Sequence, residues 1–131
     1  MPIDPLSGTP GTQLLKLALD AASLRHQVTS ANIANSGTLN YQPLRVNFEQ
    51  QLRREMSLAA APGMRMPAHG QRADLATRIA PRIEADPTTS SVAIDREMAN
   101  LSRNAIHYQA LLKVLNSKLE LTGMAINDGR R

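Results

Sequence analysis

The sequence predicts a mainly α protein: an antiparallel pair of long N- and C-terminal amphipathic helices, coiled-coil-like, joined by a small irregular or extended middle region. Three observations predict it. Toward the C-terminus, Ile94, Met98, Leu101, Ala105, Tyr108, Leu112, Leu115, Leu119, Thr122 and Ile126 recur at an unbroken 3,4 spacing. Toward the N-terminus, Leu14, Leu17, Ala21, Leu24, Val28 and Ala31 do the same, and Asn35 takes the next position. A seven-residue apolar repeat held over three heptads or more is the pattern of helices that pack side by side. Finally, aromatic residues make up 2% of the 131-residue chain, so the bulky side chains that dominate self-sufficient cores are scarce even at 42% hydrophobic content.

The whole chain, 1–131, reads as one domain. Residues 1–11 hold three prolines and two glycines, which favours a flexible lead-in. Thr12 suits an N-cap, and the first helix is expected over 12–36, with Ser36-Gly37 as its stop. Residues 37–94 form the middle region. There, Pro43 to Phe48 reads as a short strand and Glu49 to Met56 as a helical turn or two. From Ala59 to Thr89 four prolines and two glycines weaken any period, so this stretch is expected to be mobile until bound, with Leu75, Ile79 and Ile83 marking a short helix or strand. The C-terminal helix is expected over 95–128. Asp95 and Glu97 oppose its positive end, Asn127-Asp128-Gly129 closes it, and Arg130 and Arg131 suit its negative end.

A second stripe accompanies each row. Leu111, Val114, Leu121 and Ala125 follow it in the later half of the C-terminal helix, broken by Lys118; Leu15, Ala18 and Ala22 follow it in the earlier half of the N-terminal one. In an antiparallel pair these halves lie together, at the end carrying both termini. That end is apolar on more than one side, so it is expected to contact several further helices.

Chemistry has few footholds. His26, His69 and His107 include no i,i+4 pair, there are no cysteines, and neither a nucleophile elbow nor a glycine-rich phosphate loop occurs. Asp95 and Glu97 read as helix-start charge, and Met64-Arg65-Met66 as apolar filler. No enzyme, cofactor or metal site is expected. The net charge of +4 is scattered and lacks interleaved aromatics, which disfavours nucleic acid. No run approaches a membrane span, and no cleavable secretory signal is read in the first residues.

Directly after the first helix pattern, Ser30-Ala31-Asn32-Ile33-Ala34-Asn35 resembles the ANIAN signature of the bacterial flagellar axial proteins, the rod, hook and hook-associated family. The T-P-G-Y-K/R turn that follows it in that family corresponds here to Thr38 through Gln42. Thr38 and Tyr41 match, Leu39, Asn40 and Gln42 depart, and Asn can stand for Gly in a left-handed turn. Ile94 to Leu101, Asn104 to Leu111 and the Leu119 to Ile126 ending are similar to the closing helix of proximal rod subunits, as Val46 to Glu49 is to the segment after ANIAN. The resemblance implies a structural subunit of the basal body rod in the periplasm, exported without a cleaved signal through the flagellar type III apparatus. It implies packing through the terminal helices against copies of itself, FlgC-like and other proximal rod proteins, a FliE-like adaptor and the MS ring. The residues expected at the subunit joints are the two rows, the second stripes being the additional contacts of the terminal end. Folding would be coupled to assembly. The rival is a small cytoplasmic helical-hairpin adaptor or chaperone gripping a single partner helix.

Overall fold

Helix α1 runs unbroken through 25 residues, Pro10–Ala34, and proline's fixed φ and missing N–H are tolerated in a first turn. Thr12, expected as the N-cap, is instead a buried residue of the first turn. A computed structural model describes residues 10–60 and 76–129 of the chain. The expected lead-in is therefore outside the described residues except for Pro10 and Gly11, and Met64-Arg65-Met66, His69 and Leu75 lie outside them too.

The helix ends through Asn35. Its backbone N–H and its Nδ2 both donate to Ala31 O, at 3.0 and 2.8 Å. Ser36 N–H then donates to Ile33 O and Thr38 N–H to Asn35 O, which turns the chain over. Asn40 takes φ 59°, so the position the family fills with glycine is left-handed here. Strand β1 (Leu44–Asn47) follows, then helix α2 (Glu49–Ala59) and strand β2 (Arg82–Ala85). The strands pair antiparallel with Leu44 opposite Ala85 and Asn47 opposite Arg82. Residues 82–85, inside the stretch expected to be mobile until bound, are thus a paired strand, and Ile79 next to a helical turn at 76–78 is buried. A two-stranded ribbon is marginal alone and needs a helix beneath it. Here β1 lies on α1, and Phe48, directly after β1, and Ile79, ahead of β2, are buried.

Helix α3 (Ile94–Asp128) runs 35 residues, about 50 Å, antiparallel to α1. Three contacts fix the direction: Asn32 meets Glu97, Ala22 meets Asn104, and a Cβ on Gly11 would lie 2.8 Å from Lys118 Nζ. Residues 120–128 consequently run past the first described turn of α1. Gly129 closes α3 in a right-handed conformation, φ −72°, not in the left-handed one typical of a glycine stop.

The Asn32 junction and a candidate assembly surface

Two of the expected motif residues, Asn32 and Tyr41, meet at one side chain. Asn32 is 2% exposed. Its Nδ2 donates to Leu44 O at 2.9 Å and to Glu97 Oε2 at 3.1 Å. Its Oδ1 accepts from Leu44 N–H and from Tyr41 Oη–H, both at 3.0 Å. Two donors and two lone pairs are all an amide has, so every one is used. The pair of bonds to Leu44 imitates a neighbouring strand, which explains why β1 begins where it does. Asn32 thereby joins α1, the turn, β1 and α3. Of the other motif residues, Ala31, Ile33, Asn35 and Tyr41 are half-buried, and Ala34 is exposed.

Around this junction the ribbon is pinned by polar contacts. Arg45 donates twice to Glu84 Oε1, at 2.8 and 2.6 Å, and Asn47 Nδ2 donates to Glu84 Oε2. The Arg45 hydrogen bond holds the Glu84 carboxyl below its ordinary pKa. Gln42 Nε2 donates to Asp86 O and Thr89 O, while Asp86 N–H donates to Pro43 O. Asp86 Oδ1 accepts from the hydroxyl and the N–H of Thr88, which lowers its pKa as well. Arg25 clasps both oxygens of Glu49, at 2.6 and 2.8 Å. A cleft of about 410 Å³ opens where α1, β1 and α3 converge, with Val28, Leu44, Arg103, Asn104 and His107 among its walls.

The heptad rows are only partly covered in the hairpin. On α1 the line turned to α3 is Leu15, Ala22, Thr29 and Asn32, the first three buried at seven-residue intervals. Leu15 and Ala22 belong to the second stripe, whose third member, Ala18, is half-buried. Of the row itself, Ala21 and Val28 are buried, Leu17, Leu24 and Ala31 half-buried, and Leu14 exposed. On α3, Glu97, Asn104 and Lys118 reach α1, with Leu111 at the same heptad interval. Leu101 and Leu115 are half-buried beside them, as is Leu119. Met98, Ala105, Tyr108, Leu112 and Ile126 of the row are exposed, as are Val114, Leu121 and Ala125 of the second stripe. The cleft residues Arg103 and His107 lie on the opposite flank of α3 from Met98, Ala105 and Leu112. The row therefore faces away from the β ribbon.

Two residues outside the expected set proved central. Asn104 is the sole residue of α3 that is buried, its Nδ2 donating to Ala22 O at 2.8 Å. Glu97, expected as helix-start charge, is also the α3 end of the Asn32 junction. Their signal in the sequence was the line 97, 104, 111, 118, polar at three of four positions.

Among the described residues no three His, Cys, Asp or Glu side chains group as metal ligands, and no helix is long and apolar enough to cross a membrane. No family model matches the chain. The flagellar basal body rod protein FlgB of Bacillus subtilis is 32% identical over 130 residues, covering 95% of this chain and 97% of that protein. FlgB of Yersinia ruckeri is 29% identical over 79% of the chain and 83% of its own length. FlgB of Proteus mirabilis is 26% identical over 86% and 90% respectively.

Proposed function

The chain belongs to the FlgB family of flagellar basal body rod proteins, and from that premise we propose that it polymerises through its terminal helices into the proximal rod, which transmits torque. One observation carries the reading. Helix α3 is 35 residues long, yet Asn104 is the sole buried residue on it, while Met98 (52%), Leu112 (36%), Val114 (56%), Leu121 (64%), Met124 (55%) and Ile126 (51%) stay exposed. Exposed apolar side chains in this number, on two flanks of one helix, are unfavourable in water and are normally covered in an assembly. Burying one Leu or Ile contributes roughly 1.5–3 kcal/mol, so a handful of these residues drives association against the cost of ordering them.

The partners follow from the same reading: other copies, FlgC-like and further proximal rod subunits, with a FliE-like adaptor and the MS ring at the base of a periplasmic rod, reached through the flagellar export apparatus. A single-partner hairpin adaptor leaves the second exposed flank, Val114, Leu121 and Ala125, without a use.

Leu112→Asp tests the reading, because Leu112 is exposed and the charge leaves the fold in place. Secretion of the subunit should continue while rods are lost. Rods of normal number and length by electron microscopy in that variant would refute assembly through this face.

A further inference from the structure

We propose that Asn104, together with Asn32, is a specificity device that holds α3 against α1 on its poorer face, keeping the richer face turned outward. The side of α3 that meets α1 carries Glu97, Asn104, Leu111 and Lys118, one apolar residue in four. One position further along lie the exposed Met98, Ala105 and Leu112 and, half-buried, Leu119, all four apolar. Leu101, Tyr108, Leu115 and Thr122 border both faces. A turn of α3 about its axis by roughly one residue, about 100°, would exchange the two. Burial of apolar surface alone favours the exchanged hairpin.

What opposes it is polar and local. Asn104 reaches Ala22 O only from its present side, and the small Ala21 and Ala22 side chains, 1% and 0% exposed, admit it to the α1 backbone. Asn32 reaches Glu97 only in the same orientation. The Asn104 Oδ1 is buried and accepts no hydrogen bond among the described residues, so this position is not built for maximal stability. A buried asparagine that fixes one packing among several at a cost in stability is a known role of polar residues in helical seams. The purpose assigned to it, a face kept free for neighbouring subunits, rests on the assembly reading. The choice of seam is a property of the isolated chain.

The chain has no cysteine, so single introduced thiols report each face of the isolated full-length protein. With Asn104 present, Ala105→Cys should react with a soluble thiol reagent at least about fivefold faster than Leu111→Cys, since access governs the rate. In the Asn104→Leu background the order should reverse. Asn104→Ala removes the pin without adding an apolar side chain, and should move the ratio in the same direction by less. An unchanged ratio in both backgrounds overturns the proposal. So does a parallel rise at both positions, which would mean that Asn104 merely holds the hairpin closed. Because no assembly enters the measurement, its outcome is independent of the Leu112→Asp result.

Discussion

Asn32 shows how one side chain can do what a whole element does elsewhere. Its amide saturates four partners from three segments, and only an amide has both the donors and the acceptors required. Asn32→Asp keeps the shape but turns two donors into an acceptor facing Leu44 O and the Glu97 carboxylate. The expected cost is on the order of 3 kcal/mol by urea unfolding, with part of it recovered in Asn32→Asp/Glu97→Gln, where the glutamine can donate back. An additive double mutant would show that Asn32 and Glu97 are not coupled. Asn40 offers a simpler case. At φ 59°, Asn40→Gly should be neutral within about 0.5 kcal/mol, whereas Asn40→Val should cost about 1–2 kcal/mol in the same assay. The left-handed turn was legible in the sequence because Asn occupies a position that the family gives to Gly. The hub was not: spacing finds Asn32 on α1 but says nothing of a strand and a second helix converging on it from 12 and 65 residues away.

At the scale of elements, the two long helices were legible from period alone, whereas Thr12, expected as the cap of the first, lies inside it. Strand β1 was legible from Pro43 to Phe48. Strand β2 was only partly legible: Ile83 marked a short helix or strand and Arg82-Ile83-Glu84-Ala85 alternates polar and apolar, but four residues between Pro81 and Pro87 are too few to decide, and the strand exists by pairing with β1. The seam between α1 and α3 was hidden for another reason. A heptad row reports that a face will be buried somewhere, not that it is buried by the nearest helix. The ribbon's polar pins give it a pH dependence. Glu84 and Asp86 both titrate below their ordinary range in the folded chain, so their contribution is present above the unfolded carboxylate values and is lost as pH falls through the lowered ones. Glu84→Gln should therefore lower the urea midpoint at pH 7, and by less at an acid pH low enough to protonate the wild-type carboxyl. A deficit of equal size at both pH values would assign the loss to packing.

At the scale of the whole molecule, the proposed assembly surface is separate from the contacts that tie the Asn32 end of the hairpin. The Asn32 end is tied by the junction, by the Arg25–Glu49 pair and by the ribbon on α1. The terminal end has Leu15 and Thr12 buried on α1, but α3 runs on through residues 120–128 with Leu121, Met124 and Ile126 exposed. Local stability should follow this gradient, because opening is cheapest where least apolar surface is buried. In the isolated chain, amide hydrogens of residues 120–128 should exchange at least about tenfold faster than those of 97–108. In assembled rods the terminal segment should become the slower of the two, since neighbours then cover it on more than one flank. Equal protection along α3 in the isolated chain would contradict the gradient. A terminal segment still fast in the rod would contradict its use as a subunit joint, because a surface that transmits torque through interdigitated side chains cannot open freely while it bears the load.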